Sequence, residues 1–472
     1  MKRKINIKTV LMALVLWVSL GSCSKDFIER TPSDSLTPAV ALANENLLQI
    51  ALNGAYASLR AVGLYGRTIP VIGDLHADNT YVEKKNSGRY LLWYNYTVSA
   101  TDGDASDMWT NAYTGIMRAN RVIDANLTGG NVDAIKAEAM GIRGLLYFKL
   151  VNIFAKQFSS DPASLGVPIV LHFVPYGLPA RNTVTEVYTQ IIADLKAAYA
   201  KAGPYKNSAT LSKYSIGAML AKAYLYSGDN TNALATAKDV INNGGFTLAP
   251  ASGLSAYWHN PATTTNKVET LFEVDADVLN NNGFNDLAGI YENGYNDIYA
   301  SGDLYKLYSA TDARKGLMIE GKTKSGSAAI IVNKFANAQN NDRDNIKVIR
   351  LAEVYLIAAE AAFRTSDEPG ALGFLNALMI KRDPAFIYAS AGAQLLTDII
   401  TERRKELAFE GDRLFDLNRL KLPIIHGVNA GAIPVVPDYV TVSYPNDKRI
   451  APIPQVELLS NPSIAGQQNP SY

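Results

Sequence analysis

Apolar residues recur along most of this chain at the spacing of a single helix face. Over 184–199 the positions Val184, Val187, Tyr188, Ile191, Leu195, Ala198 and Tyr199 follow an i, i+3, i+4, i+7 pattern, with polar residues between them. Leu351, Val354, Tyr355, Ala358 and Ala362 repeat it. Further helices are predicted over 46–60, 112–125 and 134–158. The pattern predicts a mainly helical protein.

Two segments place a second helix after a turn. Leu220, Ala221 and Tyr224 precede Gly228-Asp229, and Ala233 and Ala237 follow where small side chains let antiparallel helices approach. Ala358, Ala359, Ala362, Ala371, Leu375 and Leu378 fit the same template far downstream. Each segment resembles one tetratricopeptide unit. Such units bury their faces on neighbours, so the other predicted helices must complete the stack. Between the two units, from 243 to about 345, helical spacing fades and Asn, Gly, Asp and Tyr accumulate, as in 279–286 and 291–299. These residues form turns, and a loop layer of this length on a helical scaffold points to function.

The first 23 residues have a different character. Lys2, Arg3, Lys4 and Lys8 precede an apolar run of about eleven residues, short of the roughly 20 that cross a bilayer core, and Leu20-Gly21-Ser22-Cys23 closes it. This reads as a lipoprotein signal over 1–22 with lipidation at Cys23. A polar tether over 23–38 then leads to a body over 39–472. Cys23 is the only cysteine, so the mature body forms no internal disulfide.

Composition changes the picture in two ways. Lys+Arg number 45 against 44 Asp+Glu, with no long run of one sign, which argues against nucleic acid as a partner. Tyrosine is abundant, 26 against 14 Phe and 4 Trp, and pairs an apolar ring with a polar tip. Catalytic signatures are lacking. The 4 histidines (His76, His172, His259, His426) are scattered, which implies no metal, and no cofactor is expected. Residues 316–323 match the P-loop pattern letter for letter, but a polar segment precedes them and no helix follows, so nucleotide binding is not expected. The Asp-rich 102–107 reads as a helix cap before a cation site.

Near the C-terminus, residues 399–419 read I-I-T-E-R-R-K-E-L-A-F-E-G-D-R-L-F-D-L-N-R. Charges of alternating sign stand among Leu407, Phe409, Leu414, Phe415 and Leu417, which predicts ion pairs that are partly buried. This segment, the preceding 348–361, and the ending Ile453-Pro454-Gln455 to Tyr472 resemble the SusD/RagB family. Gly73-Asp74-Leu75-His76-Ala77-Asp78-Asn79 and Trp109, Tyr113, Ile116, Asn120 and Arg121 resemble its amino-terminal part.

The resemblance implies a mainly α fold: a tetratricopeptide-like superhelix of four helix pairs with an irregular, loop-rich ligand layer. The helical part would span about 39–230, the ligand layer about 243–345, and the C-terminal part about 346–472. The family capture role implies a lipid-anchored outer-membrane protein facing the cell exterior, binding a nutrient, most often an oligosaccharide. It would deliver that nutrient to a SusC-type TonB-dependent transporter. A peptide ligand, or a helical-repeat interaction scaffold, are the alternatives. Family ligand residues vary, so the pocket is read from chemistry. Aromatic rings beside Asn and Asp suit sugars, and Asp78, Asn79, Tyr81, Tyr90 and Trp93, with Trp258, Tyr291, Tyr295 and Tyr299, are the candidates. Trp109 is assigned to the core.

Overall fold

The computed structural model describes residues 42–472. The proposed signal, Cys23 and the tether lie outside the described residues. Eleven longer helices follow in chain order: α1 (Glu45–Leu59), α2 (Thr68–Leu75), α3 (Gly103–Ile123), α4 (Val132–Phe154), α5 (Val184–Lys201), α6 (Lys213–Tyr226), α7 (Asn230–Asn243), α8 (Leu351–Arg364), α9 (Glu368–Met379), α10 (Gly392–Glu406) and α11 (Arg413–Arg419). From α1 through α3 to α9 each packs on the next, with α10 against α8, so the stack is a superhelix of four helix pairs. α4 lies at its centre and is buried on nearly every side, its charged Arg143 and Lys149 paired within the fold. At the head of α5 the Thr183 hydroxyl accepts from the Glu186 amide while the Glu186 carboxylate accepts from the Thr183 amide at 2.7 Å, a reciprocal cap. α3 begins nine residues before the predicted 112–125. Its cap is Asp102, which accepts from the Ala105 amide at 2.8 Å, so the first aspartate of 102–107 serves a helix end.

The two tetratricopeptide-like units meet directly, α7 against α8, although over a hundred residues separate them in sequence. The intervening block is therefore extruded as a layer. It is less irregular than its composition suggests. β1 (Thr80–Val82), β3 (Ile298–Ala300), β4 (Met318–Lys322) and β5 (Ala328–Val332) form an antiparallel sheet in the order β1-β3-β5-β4, and β2 (Thr270–Val274) pairs with β6 (Ile346–Arg350), which runs straight into α8. The P-loop match falls on β4, where Gly321 and Lys322 pair with Ala329 and Ala328 of β5 in a strand ladder instead of a phosphate cradle.

The charged segment 399–419 goes inside. Arg314, Arg350, Arg382, Lys334 and Lys405 interlock with Asp312, Glu269, Glu402, Glu406 and Glu410, five cations against five carboxylates, all buried or nearly so. A second chain links Lys149, Asp412, Lys222, Glu353, Arg403, Asp416, Arg419 and Glu360. Charges this deep stay only where partners and hydrogen bonds replace water. Burial alone would raise the Glu360 carboxyl, but Arg419, Arg364 and Arg403 bring it down to about 2. A folded pKa below the unfolded one adds stability above pH 4.5 that is lost as the pH falls toward 2. Wild type is expected to lose about 3 kcal/mol more than E360Q between pH 5 and pH 2 in urea titrations; parallel pH profiles would refute this.

The last residues close the first half of the chain. The Arg181 guanidinium donates to the carbonyls of Gly166 (2.7 Å), Gln467 (2.6 Å) and Leu165 (2.9 Å) and to Asn469 Oδ1 (3.0 Å). Asn469 Nδ2 in turn donates to the carbonyls of Phe154 and Ala451, both at 2.7 Å.

Candidate functional site

Eight of the nine aromatic and polar candidates are buried parts of the scaffold, and each has a physical reason to be there. Asp78 is forked by Arg413 at 2.7 and 2.8 Å, with Arg404 at 3.4 Å. Asn79 joins Asp74 to Arg404. Tyr81 and Tyr299 face each other across β1 and β3 with ring centroids 5.9 Å apart. The Tyr90 hydroxyl accepts from Arg67 Nε at 2.7 Å, and Trp93 Nε1 donates to Asp102. Trp258 covers the charge web, with Lys334 at 4.1 Å and Lys347 and Arg350 at 4.9 Å from its ring. Tyr291 is fully buried between Phe335 and Phe409. None of these eight rings and carboxyl or amide groups presents a platform to solvent. Trp109 lies in the core against Phe154 and Tyr113.

Tyr295 is the exception, and other residues gather on it. The Arg89 guanidinium lies 3.6 Å from its ring centroid, and its hydroxyl donates to Asn285 Oδ1 at 3.0 Å. Asn285 also accepts from Arg67 Nη1, and the neighbouring Phe284 ring is 53% exposed. The loop 84–89 is stitched to the same spot. Ser87 donates through its amide (3.1 Å) and hydroxyl to Asp297, and Lys324 Nζ donates to Asp297 (2.8 Å) and to the Tyr295 carbonyl. Glu83 accepts from the Ser325 amide, and the Lys84 amide donates to the Gly431 carbonyl. Three loops that are distant in sequence, 84–89, 284–297 and 324–325, thus converge on one aromatic ring with amide and cationic edges. The site combines a stacking surface with donors and acceptors at its rim, as sugar recognition requires.

Of the nine residues expected from the sequence, Tyr295 alone stands at this convergence. Phe284 and Asn285 stood inside a segment read only as turn-forming, and Arg89 and Lys324 carried no signal beyond their charge. A groove of about 860 Å³ lies elsewhere, between α3 and the extended segment 168–179, floored by Trp109 and Tyr113.

Two family models match the chain. One, described as "Starch-binding associating with outer membrane", covers residues 26–225, and the other, the SusD family, covers residues 323–472. SusD-like protein P2 of Formosa agariphila is 29% identical over 97% of this chain and 98% of its own length. Among solved structures, a SusD superfamily protein from Bacteroides vulgatus superposes with a TM-score of 0.83 at 28% identity, covering 90% of this chain and 98% of that one.

The chain belongs to the SusD family.

A putative sugar binding protein from Bacteroides vulgatus superposes equally well, with a TM-score of 0.82 at 28% identity over 90% of this chain and 98% of that one. A SusD-like protein of Bacteroides ovatus is 26% identical over 88% of this chain and 83% of its own. For this SusD-family protein the matches embrace both the helical stack and the C-terminal charge web. The loop block around Tyr295 falls between the two matched regions.

Proposed function

We propose that this SusD-family protein captures an oligosaccharide at the Tyr295 face and delivers it to a SusC-type TonB-dependent transporter, anchored by lipid at Cys23 to the outer membrane and facing outward. The observation that carries the reading is the half-open Tyr295 ring with Arg89 on it, Asn285 at its edge and the exposed Phe284 beside it, where the other candidate rings are packed away. The family description, starch-binding in association with the outer membrane, supports both the ligand class and the location. The lipoprotein signal read from residues 1–23 agrees with it.

Stacking on one ring contributes about 1 kcal/mol and a hydrogen bond about as much. Removing Tyr295 therefore weakens a bound sugar about tenfold or more. The expected result is saccharide binding by calorimetry from a panel of oligosaccharides and oligopeptides, with Y295A weakened to that extent and F284A by less. Retention of peptides alone would move the ligand class to peptide, and saccharide binding untouched by Y295A would remove the site from this face.

A further inference from the structure

We infer that the saccharide taken at this face is anionic, carrying a carboxylate or a sulfate ester on its sugar rings; this rests on the Tyr295 face being the binding site. The rim of the face holds Lys84, Lys85, Arg89 and Lys324 against Glu83 and Asp297, a net of two positive charges in a chain whose formal net charge is only +1. The two signs are also sorted by depth. Glu83 and Asp297 are fully buried, and their oxygens are taken up from within: Glu83 by the amides of Lys85 and Ser325, Asp297 by Ser87 and Lys324. Buried in this way, neither carboxylate reaches a ligand's hydroxyl at the rim.

The cations are arranged the other way. Lys84, Lys85 and Lys324 are exposed, and among the described residues Lys84, Lys85 and Arg89 meet no carboxylate. The loop that carries them is held in place by backbone and side-chain bonds that leave the ammonium groups outside: the Lys84 amide to Gly431, Asn86 Nδ2 to the Glu83 carbonyl, and Ser87 to Asp297. The Arg89 guanidinium occupies one side of the Tyr295 ring while donating to Ser87 Oγ at 2.8 Å. A sugar stacked beside it sets its ring substituents within reach of planar N–H donors matched to a carboxylate or sulfate.

The test titrates the full chain in detergent with three oligosaccharides of equal length, trigalacturonate, a sulfated galactan trisaccharide and neutral galactotriose, at low and high salt. At least one charged sugar is expected to bind about tenfold tighter than galactotriose at low salt. High salt should shrink that advantage, and the double variant K84A/K85A should remove it, so that the charged sugars bind no more tightly than galactotriose. Whichever of the carboxylate and sulfate sugars binds more tightly names the group. Equal affinity for charged and neutral sugars, or a preference that survives K84A/K85A, overturns the inference and leaves sugar capture standing. If Y295A leaves the binding of all three unchanged, the face is not the site and both readings fall.

Discussion

E406Q unfolds about 3–5 kcal/mol more easily than wild type, the cost expected when one member of a buried ionic network is neutralised. Glu406 is where three guanidiniums meet. Its Oε1 accepts from Arg350 and Arg382, both at 3.0 Å, and its Oε2 from Arg382 at 2.9 Å and Arg314 at 3.1 Å. Burial would raise this carboxyl, but Arg382, Arg350 and Arg314 hold it well below the usual carboxylate range, so it stays ionised. Glutamine keeps the shape and changes two things. Its amide nitrogen points a donor at guanidinium donors, and the web is left with five cations against four carboxylates. Urea denaturation of E406Q beside E320Q is the measurement, because Glu320 is exposed on β4 and its change should fall within about 0.5 kcal/mol. A loss under about 1 kcal/mol for E406Q would show that the web relaxes around a missing charge.

G73A is the second large loss, and its cause is steric. Where α2 crosses the loop between α10 and α11, a β-carbon on Gly73 would stand 2.1 Å from the Gly411 carbonyl oxygen and 2.4 Å from its carbon. Both are backbone atoms, so the helix or the loop must shift. Gly411 has no latitude either, with φ at +83° and its own missing β-carbon 2.5 Å from Pro70 Cα. The contact is locked by Asp74, which accepts from the Gly411 amide at 2.7 Å. Overpacking against backbone here is expected to cost about 3 kcal/mol or more. G54A makes the contrast. Gly54 lies in α1 with open space where a β-carbon would go, so alanine should stabilise by up to about 1 kcal/mol through helix propensity. Thermal melts showing both variants shifted in the same direction would contradict the account.

These two losses also mark what the sequence makes legible. The i, i+3, i+4 spacing in 184–199 locates α5 because a helix face is written locally, in residues a few positions apart. The charges of 399–419 signalled pairing, but not that Glu269, Asp312 and Arg382, from three other segments, complete the web. Those partners are set by topology. The candidate site shows the same divide more sharply. Tyr291 and Tyr295 stand four residues apart in the same Asn- and Gly-rich stretch, and no local pattern says that the first is sealed between Phe335 and Phe409 while the second stays half open. In a loop block the hydrophobic period that distinguishes inside from outside is missing. Trp109 was assigned correctly to the core because it sits on a helix, where that period operates.

The Arg181–Asn469 lock ties the first half of the fold to a residue 288 positions later. A polypeptide made from its N-terminus thus exposes the Arg181 donors and the Phe154 carbonyl until Asn469 arrives. Closure of the first half then waits on Asn469, so a product cut short of that residue carries an open seam that a protease can read.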